Sequence, residues 1–249
     1  MDPRMHKRVS RDGAEDEVAV EEPLEIRVDG RAIAITMRTP GNDEELALGF
    51  LHGEALIAEA RSVGPPEDLA ANTIEVAGPL ARDPGERNFY ATSSCGVCGK
   101  GALEQVAVDA PAVEAGPVLP RDLLATLPER IRQPAFELTG GLHATGLFDA
   151  AGELLCARED VGRHNAMDKV IGWALGEALV PLSGHALCVS GRLSFELVQK
   201  AAVAGCPILV GVGAPSSLAI ELAADRDMTL CGFARGGEVN VYSGPERVG

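Results

Sequence analysis

The sequence predicts an α/β protein whose C-terminal part is a sheet covered by helices on both faces. Two observations carry this. From residue 135 onward short apolar runs alternate with longer amphipathic segments, the rhythm of strand–helix units. Before them, Ala110 to Pro120 (APAVEAGPVLP) holds three prolines and reads as a connection between two parts of the chain. At 249 residues the chain can bury roughly 70–75% of its unfolded surface, so neither part needs a staple.

Residues 1–20 begin MDPRMHKRVSRDGAEDEV, lack the apolar stretch of a signal peptide, and read as a solvated, disordered tail. Residues 21–110 read as a smaller α+β domain. In it Leu24–Val28 and Ala32–Thr36 flank Asp29-Gly30, a strong hairpin signal. Thr39 to Asp43 is a turn, and Glu44 and Glu45 suit the positive end of a helix reaching about Ala55. Leu46, Phe50 and Leu51 mark its buried side. Asn72–Ala77 is a further strand, and Leu103–Val108 a strand or helix after the cysteine stretch. Residues 111–134 are linker plus a helix at Arg121–Arg132.

In residues 135–249, Leu142–Phe148 and Glu153–Ala157 form a hairpin around Asp149–Gly152. Helices follow at His164–Leu179, Ser194–Ala204 and Ser216–Ala224. Strands alternate with them at His185–Ser190, Pro207–Gly211, Met228–Phe233 and Val239–Tyr242. The net charge of −15 argues against non-specific binding to nucleic acid or to an anionic membrane. No run of 18 apolar residues is long enough to span a bilayer. The expected location is the cytoplasm, where stable disulfides are rare.

That setting gives the six cysteines their meaning. Cys156, Cys188 and Cys231 sit within apolar strands and Cys206 just before one, so these four read as core thiols. Cys95 and Cys98 differ, lying in TSSCGVCGK among serines and glycines with little to bury. Structural zinc needs a second ligand pair, which is missing. His52-Gly53-Glu54 raises the zinc deaminase pattern of H-x-E followed by P-C-x-x-C, but Ser94 stands where that pattern has proline. A thioredoxin-like pair would open a helix, and the glycine-rich flank does not. There remains a thiolate on a swinging loop, with Lys100 favouring the charged form, suited to carrying a sulfane sulfur as a persulfide.

Two downstream loops look built for anions. Ser190-Gly191-Arg192 precedes the helix opening at Ser194, and Gly211 to Ser217 (GVGAPSS) precedes the next. In a parallel sheet both would lie at the carboxyl ends of neighbouring strands. Arg158 to Asn165 (REDVGRHN) concentrates Arg158, Arg163 and His164 in a strand-to-helix connection; either Asp160 or Asn165 suits a helix cap there, and Asp168 with Lys169 a solvated helix face. Phe233, Ala234, Arg235, Gly236, Gly237 and Glu238 form a turn that can be a plain hairpin or offer an arginine and open amides to a ligand.

Six blocks together resemble the formate dehydrogenase accessory sulfurtransferases of the FdhD/NarQ family. They are TMRTPGNDEELALGFLHGEALI (Thr36–Ile57), ATSSCGVCGK (Ala91–Lys100), TGGLHATGLFD (Thr139–Asp149), REDVGRHNAMDKVIG (Arg158–Gly172), SGRLSFELVQKA (Ser190–Ala201) and APSSLAIELA (Ala214–Ala223). The resemblance implies a sulfur carrier that is loaded by a cysteine desulfurase. It would deliver sulfur to the bis(molybdopterin guanine dinucleotide) cofactor of the formate dehydrogenase catalytic subunit. It implies that Cys95 carries the persulfide with Cys98 in the second position, and that Phe233 to Glu238 belongs to the cofactor segment. Arg163, His164, Ser190, Gly191 and Arg192 are expected around the cofactor's phosphates. A cytidine deaminase-like three-layer fold for 135–249, a homodimer, and no intrinsic metal complete the expectation. The competing readings are a zinc-dependent deaminase-like hydrolase and a non-catalytic molybdenum cofactor chaperone.

Overall fold

The computed structural model describes residues 2–57, 59–60, 62–82, 89–91 and 112–249. Cys95, Cys98 and the element expected at 103–108 lie outside them. Strands β1 (His6–Arg11) and β2 (Ala14–Ala19) pair antiparallel, so the N-terminus is not the disordered tail its composition suggests. The reason is local. Asp12 and Gly13 both take positive φ (52° and 82°), the geometry of the tight turns that suit hairpins. Across the ladder, Arg8 meets Glu17 at 3.0 Å and Arg11 meets Asp16 at 3.0 Å, so the charges that look solvating are cross-strand pairs.

The N-terminal unit is a five-stranded sheet in the order β5-β6-β3-β4-β7, formed by Ser62–Gly64, Thr73–Ala77, Glu22–Val28, Arg31–Arg38 and Phe89–Ala91. The β3–β4 hairpin turns at Asp29-Gly30, as the sequence predicts. Helix α1 (Asp43–Gly53) buries Leu46, Phe50 and Leu51 against Leu24, Ile26 and Val76 of this sheet.

The C-terminal unit is a six-stranded sheet, β13-β12-β11-β10-β8-β9. Its strands are β8 (His143–Phe148), β9 (Leu154–Asp160), β10 (Ala186–Val189), β11 (Ile208–Gly211), β12 (Thr229–Arg235) and β13 (Glu238–Ser243). Strands β10, β11 and β12 run parallel, and β8, β9 and β13 are added antiparallel at the flanks. Helices α4 (Arg163–Gly176), α5 (Phe195–Val203) and α6 (Ser217–Asp225) cover one face through Met167, Val170, Leu197, Val198 and Ala219. Helix α2 (Arg121–Arg130) covers the other through Leu124, Ala125 and Leu127. The helix following the prolines is thus one layer of this unit. The short helix α3 (Pro134–Thr139) precedes β8.

The two units meet where α1 crosses α4, and glycine decides how closely. A Cβ on Gly49 would lie 1.8 Å from the Asp168 carbonyl oxygen, and one on Gly172 would lie 1.8 Å from that of Glu45. Each helix thus places a glycine under the backbone of the other. In an ordinary helix interior alanine outperforms glycine by roughly 1 kcal/mol. Here the overlap with backbone atoms cannot be relieved by rotating a side chain, so the sign reverses. We predict that Gly172→Ala and Gly49→Ala each lower stability by about 3 kcal/mol or more, read as a fall of roughly 6–12 °C in the thermal unfolding midpoint. An unchanged or raised midpoint would contradict this packing.

Candidate functional site: a cationic edge of the large sheet

Because β10, β11 and β12 are parallel and β8 opposes them, one edge of the sheet gathers the carboxyl ends of these three strands with the start of β8 and the end of β9. The two loops read as anion-seeking do lie side by side here. Gly213 N–H donates to Gly191 O at 3.0 Å, and Leu193 and Pro215 form a parallel bridge between the loops. Ser190 Oγ accepts from Ala144 N–H at 2.9 Å and Ser190 N–H donates to Ala144 O at 2.9 Å, locking the first loop to the start of β8.

Of the predicted ligand residues, Arg163 and His164 open α4 at this edge, beside Ser190, Gly191 and Arg192. A Cβ on Gly191 would touch both His143 (3.5 Å from Nδ1) and Arg163 (3.9 Å from Cδ). Arg163 Nε is buried and has no hydrogen-bond partner. Neither Arg163 nor Arg192 has a carboxylate within ion-pair distance among the described residues, although the chain carries 37 acids against 22 Lys and Arg. His164 Nε2 lies 3.1 Å from Ser194 Oγ and 3.8 Å from Glu196. Ser194 is thus turned toward His164 rather than capping α5, whereas Ser216 Oγ does cap α6 by accepting from Ala219 N–H at 3.2 Å.

Burial pushes the His164 imidazole down to about 4, with Arg163 and Lys200 adding to the effect. His143 is also lowered, by burial first and then by Arg163 and Arg192, with Asp160 opposing. Burial pulls Glu196 upward, yet its hydrogen bonds and the charges of His164 and Arg163 leave it below the usual carboxylate range.

The segment from Phe233 to Glu238 joins the edge at one end only. Phe233 N–H donates to Gly213 O at 3.2 Å, and Phe233 holds φ 55°, a strained value for a bulky residue, at a break in the β12–β13 register. Ala234 is fully buried on the α2 face and offers its side chain to the core, not to the edge. Arg235 and Glu238 are exposed partners across the hairpin, and Gly236 and Gly237 form its tip at positive φ.

The remaining charges of the REDVGRHN block serve a different purpose. Arg158 holds Glu45 of α1 through two hydrogen bonds at 2.6 and 2.7 Å, so it is an inter-unit clamp. Glu159 accepts from the backbone N–H groups of Ala135 and Phe136 at the start of α3. Asp168 and Lys169, which read as a solvated face, are buried. Lys169 pairs with Asp160 at 2.7 Å and Asp168 with Lys200 at 2.8 Å. Glu54 of the His52-Gly53-Glu54 stretch also faces Lys200, at 3.4 Å, and burial lowers the His52 imidazole. These residues belong to the packing between α1, α4 and α5.

The four downstream cysteines are buried, free thiols, as the sequence predicts. Burial pushes Cys156, Cys206 and Cys231 up to about 12 and Cys188 upward as well, so none offers a thiolate near neutral pH.

Fold and edge together define the class: a two-part α/β protein with a cationic sheet edge. The model described as "FdhD/NarQ family" matches residues 19–249, and the chain belongs to that family. Similar curated proteins include the sulfur carrier protein FdhD of Streptomyces coelicolor (51% identical, covering 96% of this chain and 92% of that one). The protein of the same name from Sulfolobus acidocaldarius is 46% identical over 96% of this chain and 93% of its own. A crystal structure from Desulfotalea psychrophila, described as a formate dehydrogenase accessory protein, superposes with a TM-score of 0.75 at 29% identity, covering 98% and 97% of the two chains.

Two predictions follow from the electrostatics of this region. The unfolded chain takes a proton on His164 near pH 6.5, whereas the folded one resists until about 4, so stability is lost as pH falls across that window. Asp168, raised to about 6, works in the opposite sense. We expect His164→Gln to remove an acid destabilisation of order 2–3 kcal/mol between pH 6.5 and 4, seen by comparing denaturant midpoints of the two proteins. An identical pH profile would show that His164 stays hydrated. Separately, a thiol reagent should label at most two cysteines in the native protein and six after denaturation. Early labelling of Cys188 or Cys206 would contradict the core described above.

Proposed function

We propose that this chain is a sulfur carrier for the maturation of formate dehydrogenase, with Cys95 as the sulfur-bearing residue. The Cys95 thiolate attacks the outer sulfur of a cysteine desulfurase persulfide. The new S–S bond forms on Cys95 as the desulfurase cysteine leaves as a thiolate, with no net change of oxidation state. The outer sulfur then passes to the reduced metal of the bis(molybdopterin guanine dinucleotide) cofactor, which enters as substrate. The S–S bond breaks, Cys95 leaves as a thiolate, and the metal gives up the two electrons that turn the sulfane sulfur into a sulfido ligand. Arg163, His164, Ser190, Gly191 and Arg192 hold the cofactor's phosphates, and the backbone around Phe233 to Glu238 meets the rest of the dinucleotide.

The observation that carries this reading is one of chain distance. Ala91 pairs with Thr36 in the β4–β7 ladder. The Thr36 hydroxyl donates to Asn165 Oδ1 at 3.2 Å, and Asn165 lies two residues beyond Arg163 in α4. Cys95 follows Ala91 by four residues, a span of at most about 14 Å. That chain length is short enough to let a sulfur on Cys95 reach the cationic edge, which supports the reading of a carrier that serves an anionic cofactor. Family membership and the names of the relatives support the same reading. A cytidine deaminase-like C-terminal unit and a cytoplasmic homodimer belong to it on the strength of the sequence resemblance.

The test is to incubate the full chain with a cysteine desulfurase and cysteine, alkylate, and locate the added sulfur by peptide mass spectrometry. Wild type and Cys98→Ala should carry it on the Cys95 peptide, and Cys95→Ala should carry none. Loading of Cys95→Ala but not of Cys98→Ala would reverse the two roles. Loading of neither wild type nor variant, with full support of dehydrogenase activity, would favour a chaperone that only holds the cofactor.

A further inference from the structure

His143 stands at the centre of the cationic edge, yet the sequence reading assigns it nothing. It is the first residue of β8 and pairs with Asp160 at the end of β9. It is half-buried, and no hydrogen bond to another described residue occupies either nitrogen of its ring. The loop holding Gly191 is fixed against it by the two Ser190–Ala144 hydrogen bonds. A Cβ on Gly191 would fill the space between the His143 ring and the Arg163 stem. Arg192 completes the group from the same loop, its backbone set against Gly213 of the neighbouring loop.

The side chains of His143 and Arg163 thus meet at Gly191, and Arg192, the next residue, is near enough for its charge to act on the imidazole. The two arginines are permanent cations without a carboxylate at ion-pair distance among the described residues. A neutral imidazole is the natural third member. It sits beside two arginines without adding a third charge and becomes a charged donor when an anion arrives. We propose that His143, Arg163 and Arg192 form one receptor for a diphosphate, and that His143 takes up a proton as the anion binds. This rests on the reading of the edge as the seat of a dinucleotide-bearing cofactor, and it adds a contact residue and a pH dependence to it.

The groups facing His143 are Arg163 and His164 from α4, Arg192 from the loop after β10, and Asp160 from β9. Burial, and then Arg163 and Arg192, hold the imidazole below its ordinary range and so neutral near pH 7. An anion between them reverses the local field and favours the imidazolium. The sign is then fixed: proton uptake on binding means that affinity rises as pH falls. His164, which titrates near 4, contributes little between pH 6 and 8.

The test uses GDP-mannose and inorganic pyrophosphate as separate probes of the full-length protein, by titration calorimetry at pH 6 and pH 8. The diphosphate diester of GDP-mannose has no proton to lose in that range, so its pH dependence reports the protein alone. We expect wild type to bind it roughly tenfold more tightly at pH 6 than at pH 8. His143→Gln should bind at both pH values with the weaker, pH 8 affinity. His143→Lys, permanently charged, should keep the tighter affinity at both, which separates loss of charge from loss of fold. Arg163→Gln or Arg192→Gln should weaken binding by about tenfold at either pH.

GDP-mannose binding with a pH dependence that survives His143→Gln would overturn the inference and leave the cofactor reading standing. Pyrophosphate binding with the expected dependence on His143, but no binding of GDP-mannose, would support the receptor and overturn the dinucleotide reading. Binding of neither probe by wild type would overturn both.

Discussion

The carboxylate of Asp160 is the point on which the two halves of the molecule are joined. It is fully buried at the end of β9 and gathers donors from both units. Thr39 N–H comes from the exit of β4 at 3.1 Å, Gly162 N–H from the approach to α4 at 2.8 Å, and Asn165 Nδ2 from its first turn at 3.1 Å. Lys169 supplies the balancing charge at 2.7 Å and also donates to Thr39 O at 2.8 Å. A buried carboxylate is costly to desolvate, and removing either charge would leave the other stranded, at a cost of roughly 3–5 kcal/mol. What the arrangement secures is position. The start of α4, the end of β9 and the end of β4 cannot separate without breaking it.

That fixed position explains why the charges of one sequence block divide into two kinds. Asp160, Arg158, Glu159, Asn165 and Lys169 are consumed by the junction, each with named partners in the other unit or in α3. Arg163 and His164 lie between them in sequence but face the open edge. With the junction rigid, the cationic edge does not depend on any one loop for its geometry. It rests on the paired strands below, and its two loops are bonded to each other and to β8. The same junction holds β4, and with it the β7 backbone that leads toward Cys95, beside the cationic residues of α4.

Much of this was legible in the sequence where the signal is local. The Asp29-Gly30 and Asp149–Gly152 turns, the alternation of strands and helices, and the four apolar-flanked cysteines all follow from short stretches read alone. A residue whose partner is distant in sequence gives no such local signal. Asp168 and Lys169 look like a solvated pair because they are adjacent, but their partners are Lys200 on α5 and Asp160 on β9. Asp12-Gly13 carries the same hairpin signal as Asp29-Gly30, and the charged composition around it masked the turn. Ala234 falls in the segment that the family resemblance assigns to the cofactor, while the break in register at Phe233 turns its side chain to the α2 face alongside Cys231. His143 left no signal, since a single histidine opening a strand gains its meaning only from the loop that folds against it.

The proposed function requires that the edge hold the anionic cofactor to which the sulfur on Cys95 is delivered. The most direct measurement loads the protein with radiolabelled sulfur and follows it to formate dehydrogenase carrying the unsulfurated cofactor, for wild type and for Arg163→Gln/Arg192→Gln. The double variant should load sulfur as wild type does but transfer little of it. Transfer at the wild-type rate from a fully loaded double variant would contradict the proposed function.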